Sequence, residues 1–171
     1  GYNLPADPAL WHLLSCGFTA AHLTTLGYLS VAAIAFAAPA ERVMGSRRFA
    51  LAAVASQAVT MPLACVIGAA VERAGFNLWG PNLVNEVYCT PVAWIFGPLA
   101  FASARFNLLW RRRVRLVCIA LTATLVLYAG SLASVAALTA VAVGWVAGEF
   151  ATGFNRPPRA ISLRESRVLV A

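Results

Sequence analysis

Long apolar runs alternate with short arginine-containing linkers, and this pattern predicts helices that cross a membrane. The apolar segments are A at residues 13–38, B at 49–70, C at 89–104, D at 114–129 and E at 131–150. A crossing helix needs about 20 apolar residues, which A, B and E supply. We expect D to extend because Arg113 and Arg115 reach towards the interface, and the shorter C to be a central helix surrounded by the others.

The composition agrees with a membrane domain. Of 171 residues, 61% are hydrophobic and 11% are charged, whereas a soluble domain has about 45–50% apolar and about 25% charged residues. We therefore predict an all-α fold, a polytopic membrane helix bundle with five transmembrane helices. Residues 1–12 would form a loop at the outer face, residues 13–150 the transmembrane domain, and residues 151–171 a cytoplasmic tail that ends as apolar character returns.

The arginines orient this bundle. All 13 basic residues are arginines, and they give a net charge of +7. Twelve of them lie between A and B, between C and D or at the start of D, or after E, and five crossings place these three stretches on one side of the membrane. An excess of basic residues marks the cytoplasmic side. We therefore expect an outer N-terminus, a cytoplasmic tail and a multi-pass protein of the bacterial plasma membrane, with no nucleic-acid partner.

Five of these arginines are candidates for binding lipid. A basic residue near an anionic membrane surface contributes about 1 kcal/mol to the attraction. The residues expected to hold anionic headgroups are Arg47, Arg48, Arg111, Arg112 and Arg113.

The two ends of the sequence predict that it is part of a longer polypeptide. An outer N-terminus requires delivery across the membrane, but residues 1–10 lack the basic start of a signal peptide. An earlier crossing helix would deliver this end to the outer face.

Residues 11–49, WHLLSCGFTAAHLTTLGYLSVAAIAFAAPAERVMGSRRF, resemble the start of a rhomboid core. The matching positions are Trp11, Ser15, Phe18, Glu41, Arg42, Gly45 and Ser46. The resemblance implies a six-helix core of which helices two to six are visible here. Segment C, with Gly97, is similar to the fourth helix, and segment E, with Ala140, Gly144 and Gly148, is similar to the sixth. Small residues four apart let helices approach closely, as they also do in unrelated bundles.

The catalytic residues of a rhomboid protease do not follow from this resemblance. Aligning Phe96 and Gly97 with the Phe-Gly of the family places Val92 at the catalytic serine, and Val141 then stands at the histidine of the sixth helix. In segment A, the ungapped match places Ala20, Thr25 and Leu29 at two histidines and an asparagine, and a three-residue shift brings His22 into register. The resemblance thus implies a non-catalytic domain that binds a transmembrane helix or lipid.

The expected binding groove contains His22, Thr25, Thr90 and Trp94. One alternative is an atypical intramembrane protease in which Cys89 or Thr90 is the nucleophile and His22 the base, although no oxyanion donor is evident. Another is an accessory subunit of a membrane complex.

A further expectation concerns the tail. It is similar to the junction between inactive rhomboid-like domains and aminoacyl-phosphatidylglycerol synthase-type catalytic domains in actinobacteria, which would make this chain the membrane module of a larger lipid-modifying protein. No cofactor is expected, and the spacing of His12 and His22 does not indicate a metal site. Pairing of Cys16 with Cys89 stays open.

Overall fold

A computed structural model describes residues 23–75, 83 and 90–152 of the chain. The regular structure in these residues is helical and comprises five helices. Helix α1 has three consecutive parts, Leu23–Ala32, the π-helical Ala33–Ala37 and Ala38–Met44, and is followed by α2 (Ser46–Arg73), α3 (Val92–Ser103), α4 (Leu108–Ala129) and α5 (Leu132–Thr152). The prediction of an all-α fold with five helices is confirmed for the described residues. Residues 1–12 and 153–171 lie outside them.

Two helices, α2 and α5, are long and apolar enough to cross a membrane, and α3 is a shorter apolar helix. At 1.5 Å per residue, α2 is about 42 Å long and α3 about 18 Å. Helix α4 begins at Leu108, six residues before the predicted start of segment D, so its first turns contain the arginines.

Short turns connect α1 to α2 and α4 to α5. Gly45 alone separates α1 from α2, and its φ of +82° favours glycine. Next to it, the Ser46 hydroxyl donates a hydrogen bond to the Glu41 carboxylate over 2.7 Å. Gly130 ends α4 in the left-handed conformation at φ +55°, and α5 starts two residues later.

Helix α3 is the central helix, as the sequence predicted for segment C. Nine of its twelve residues are buried, and it packs against each of the other four helices. We call the end of the bundle with the turn at Gly45, the α3–α4 turn and the C-terminus of α5 the arginine end. At the opposite end, a hydrophobic cluster around Met61 and Leu132 joins α2 to α5 and includes Leu83.

The outer surface of the described helices is strongly apolar. Leu51 on α2, Leu116 and Leu127 on α4, and Phe150 on α5 are each about 70% exposed. By contrast, Gln57, Thr60, Ser103 and Thr122 are fully buried polar side chains in the bundle interior. Large apolar side chains therefore face outwards along several helices, which is unusual for a protein surrounded by water alone.

Candidate functional site

Helices α3 and α5 meet backbone to backbone. A Cβ atom added at Gly144 would lie 2.3 Å from the Gly97 carbonyl oxygen, and one added at Gly148 would lie 2.7 Å from the Phe101 carbonyl oxygen. Ala140 is fully buried at the same interface. The structure thus brings together Gly97, Ala140, Gly144 and Gly148, the small residues selected from the sequence.

Helix α2 contacts the other side of Gly97. The Ser56 hydroxyl donates to the Ala93 carbonyl over 3.0 Å, and a Cβ atom at Gly97 would lie 1.9 Å from the Ser56 Oγ. A residue with any side chain at position 97 would therefore disturb α2. The first half of α3 is held between α2 and α5.

The residues of the predicted outer groove are only partly described. Thr90 is buried immediately before α3, and Trp94 is half-buried on the first turn of that helix. Thr25 lies in α1, with its side chain outside the description, and both His22 and Cys89 lie outside the described residues. The groove and the arrangement of Cys89 or Thr90 with His22 therefore stay predictions.

Three positions matched to rhomboid polar residues lie in one hydrophobic cluster. Val141 and Leu29 are 2% and 5% exposed members of this cluster, and Val92 packs against it. The resemblance expected from the sequence would place them at the histidine of the sixth helix, the asparagine of the second helix and the serine, respectively. In this chain these positions are occupied by apolar side chains that contribute to the core.

The side chain of Arg115 makes its contacts inside the bundle, at the arginine end. Its Nε donates to the Ser103 hydroxyl over 3.0 Å, and its guanidinium forms a salt bridge with Glu149. The guanidinium also lies 4.7 Å from the centroid of the Trp145 ring. Arg115 was expected to reach towards the interface, but these partners on α3 and α5 hold it between three helices. Arg113, in contrast, is exposed and lies 6.0 Å from the Trp110 ring.

Two apolar grooves open on the sides of the bundle near the arginine end. The α1–α4 groove has a volume of about 550 Å³, and the α2–α5 groove has a volume of about 590 Å³. The residues of the α1–α4 groove are Ala35, Phe36, Pro39, Val43, Leu99, Arg105, Phe106, Asn107, Trp110, Arg113, Val114, Val117 and Cys118. Both volumes are in the range of small-molecule sites, about 300–1,000 Å³.

The arginines selected for lipid binding are distributed unequally over these grooves. Arg113 lines the α1–α4 groove, whereas Arg48 lines the α2–α5 groove. The other three, Arg47, Arg111 and Arg112, line neither groove. Arg105, which was not selected from the sequence, lines both grooves. The sequence signal that could have found Arg105 is its position at the end of the central helix, because a residue there adjoins the helices on both sides.

A metal centre has no candidate in the described part of the chain, where His, Cys, Asp and Glu side chains form no group of three or more. The thiol of Cys118 is buried on α4 and lines the α1–α4 groove. A ligand in either groove would therefore make apolar contacts and interact with the positive charge of arginine.

Comparison with known proteins places the chain beside an actinobacterial relative. It is 41% identical over 176 residues to an uncharacterized protein of Corynebacterium glutamicum. The match covers 100% of this chain and 22% of that protein, so the chain spans about a fifth of its relative's length. No family model and no solved structure matches the chain. The comparison thus identifies a region shared with a much longer protein.

Proposed function

We propose that this chain is a non-catalytic, rhomboid-like domain of an integral membrane protein, which binds a lipid or a transmembrane helix against its side. The observation that carries the proposal is the hydrophobic cluster containing Val92, Val141 and Leu29. A rhomboid protease needs a nucleophile, a base and oxyanion donors at the matched positions. Valine and leucine supply none of these groups, and here they stabilise the core.

Membrane location is supported by the distribution of side chains. Helices α2 and α5 are long and apolar enough to cross a bilayer, and large apolar residues face outwards on both of them. Lipid tails would cover this surface, which water would not favour. The order of residues in helix α4 also supports membrane location, because its arginines lie in its first two turns and apolar residues follow.

The arginine end would face the cytoplasm. The described part of this end contains Arg42, Arg47, Arg48, Arg105, Arg111, Arg112, Arg113 and Arg115, whereas Arg73 lies at the opposite end of α2. This asymmetry is typical of the cytoplasmic side of a plasma-membrane protein. The length of the Corynebacterium relative supports a place within a larger protein. That the larger protein modifies lipid rests on the resemblance of residues 155–171 and stays a prediction.

The first experiment tests membrane insertion and orientation. In a background without native cysteines, Arg47→Cys and Ala74→Cys place single thiols at opposite ends of α2, both at exposed positions. We expect the protein to stay in the membrane fraction at alkaline pH. A membrane-impermeant maleimide should label Ala74→Cys on intact cells, and Arg47→Cys only after permeabilisation. Recovery in the soluble fraction would overturn the membrane proposal, and the opposite labelling would overturn the orientation.

The second experiment tests the rhomboid-like arrangement. A serine and a histidine at positions 92 and 141 would have to approach within hydrogen-bond reach in such a fold. The pair Val92→Cys and Val141→Cys should therefore form a disulfide on mild oxidation, detected by mass spectrometry of peptides. Val92→Cys with Phe150→Cys is the matched control, since Phe150 is exposed at the arginine end. Equal yields of both disulfides, or none from the first pair, would contradict the resemblance.

A further inference from the structure

The α1–α4 groove changes in character along its length. Its polar and charged side chains, Arg105, Asn107 and Arg113, come from the α3–α4 turn and the first turns of α4. Deeper in the bundle, its walls are apolar and include Phe36, Leu99, Val117 and Cys118. A ligand that fits this groove therefore has one charged end and one apolar end, and the charged end lies at the arginine end of the bundle.

The charge of Arg105 and Arg113 is not balanced by nearby acids. Neither residue forms a salt bridge in the part of the chain that the structure describes. Of the acidic residues described there, Glu149 pairs with Arg115, and Glu41 accepts a hydrogen bond from Ser46 but forms no salt bridge with either arginine. Glu72 lies at the far end of α2. The charged end of the groove is therefore suited to an anion.

We propose that the α1–α4 groove binds one anionic phospholipid, with its phosphate at Arg105 and Arg113 and part of an acyl chain along Phe36, Leu99 and Val117. This proposal deepens the function proposed above and rests on it. Arginine guanidinium groups are well suited to phosphate because they donate several hydrogen bonds in a fixed plane. Trp110 is 60% exposed beside Arg113, and tryptophan is typical of the headgroup level of a membrane.

The lining of the groove favours a lipid over a helix. Helix–helix contacts in membranes use small residues, whereas bulky side chains such as Phe36, Phe106 and Trp110 line the α1–α4 groove. An acyl chain is narrow and adapts to such walls.

The α2–α5 groove is also bordered by two arginines, Arg48 and Arg105, but its walls contain more small residues. Ala52, Ala55, Gly144, Ala147 and Ala151 are among its residues. A second helix fits such a surface better than a lipid with a bulky headgroup does. We therefore assign the phospholipid to the α1–α4 groove alone.

The experiment measures lipid binding by native mass spectrometry. The full chain, purified in detergent, is titrated with dioleoyl phosphatidylglycerol or with dioleoyl phosphatidylcholine, which have the same acyl chains and differ in net charge. We expect phosphatidylglycerol to bind more tightly, and Arg105→Gln and Arg113→Gln each to weaken it about fivefold, the effect of about 1 kcal/mol per basic residue. Arg42→Gln removes the same charge at the same end of the bundle, from an exposed position that lines neither groove, and should change binding less than twofold.

A steric variant tests the apolar part of the groove. Ala35 lines the groove, so Ala35→Trp should weaken phosphatidylglycerol binding at least fivefold without changing the charge. Ala142→Trp is the control, since Ala142 is exposed on α5 and lines neither groove. The charge variants and the steric variants each have a matched control. Comparing lipid binding within each pair locates the site without relying on a measurement of stability.

Three results would overturn the inference. Equal affinity for the two lipids would exclude selection of an anionic headgroup. An Arg42→Gln effect as large as that of Arg105→Gln would indicate a diffuse attraction to the basic surface, and full binding by Ala35→Trp would exclude the groove. In each case the membrane-insertion and disulfide experiments still decide the proposed function separately, because they do not depend on lipid selectivity.

Discussion

The two sides of the central helix α3 differ in how closely their neighbours approach. On the side of α2 and α5, Gly97 and Gly144 let the backbones touch, and an added methyl group would overlap a carbonyl oxygen. On the side of α1 and α4, bulky side chains such as Phe36 and Trp110 line the groove of about 550 Å³, whereas mainly smaller residues line the α2–α5 groove of about 590 Å³. The comparison teaches that small residues bring the backbones of α2 and α5 against α3, whereas bulky side chains separate α1 and α4 from it.

The arginines of α4 differ in the same way. Arg115 faces α5 and is held by Glu149, Ser103 and Trp145. Arg113, two residues earlier, faces the open groove with no salt bridge to a described acid. Residues two apart on a helix point in different directions, so the same helix supplies one structural arginine and one that is available to a ligand.

The largest expected effect comes from a methyl group at the closed side. Gly144→Ala would place a Cβ atom 2.3 Å from the Gly97 carbonyl oxygen, which is backbone and cannot rotate away. We expect a decrease of about 3 kcal/mol in the free energy of unfolding, the upper end of the usual cost of overpacking. The measurement is unfolding by SDS in mixed micelles, followed by tryptophan fluorescence.

Gly27→Ala is the matched control for this substitution. Gly27 lies in helix α1, and among the described residues nothing beyond its own stretch of helix lies within 4 Å of a Cβ atom added there. Its free energy of unfolding should stay within about 1 kcal/mol of the parent value or rise slightly, because alanine favours the helix. Similar destabilisation by both substitutions would contradict the close α3–α5 contact.

The second prediction concerns the Arg115–Glu149 pair. The two side chains are 13% and 23% exposed, so breaking the pair leaves a charge that water solvates only partly. We expect Glu149→Gln and Arg115→Gln each to lower the free energy of unfolding by about 2 kcal/mol, between the values for exposed and for fully buried pairs. The double variant should lose less than the sum of the two, as measured by the same SDS titration. Additive losses would show that the two groups do not interact.

The features that the sequence predicted are those that depend on local pattern. The apolar runs predicted the five helices, and the four-residue spacing of Ala140, Gly144 and Gly148 indicated the closely packed face of α5. The start of α4 was missed because apolar counting stops at the arginines of residues 111–115, which are nonetheless helical.

The partners of the arginines required tertiary contacts. Arg115 turns inwards because of Glu149, which is 34 residues away in sequence. Arg105 borders both grooves only because α3 lies between α1 and α4 on one side and α2 and α5 on the other. Positive charge between segments C and D was evident from the sequence, but which of its arginines adjoin an apolar cavity was not.

The third prediction concerns the contact between α2 and α3, where Gly97→Ala adds a methyl group. In Gly97→Ala, the added Cβ atom would lie 1.9 Å from the Ser56 Oγ and 2.6 Å from the Ser56 Cβ. The serine hydroxyl can rotate, but it then loses its hydrogen bond to the Ala93 carbonyl. We expect a loss of about 1.5 kcal/mol in the free energy of unfolding.

A second substitution makes this prediction specific. Ser56→Gly removes both overlapping atoms, so the double variant Gly97→Ala, Ser56→Gly should be more stable than the sum of the two single effects predicts. A double-mutant cycle in the SDS titration measures this coupling. Absence of coupling would mean that the two positions are not in contact.

The smallest effect on stability is expected on the open side. Ala35→Trp adds a large side chain, but Ala35 is exposed and borders the α1–α4 groove, so the indole has space that Gly144→Ala lacks. We expect the free energy of unfolding to change by less than about 0.5 kcal/mol, as is usual for surface substitutions. A loss as large as that of Gly144→Ala would mean that α1 and α4 close against α3, and the contrast between the two sides would then be wrong. An unchanged stability would show that the space beside α3 tolerates a bulky occupant, as a site for an acyl chain must.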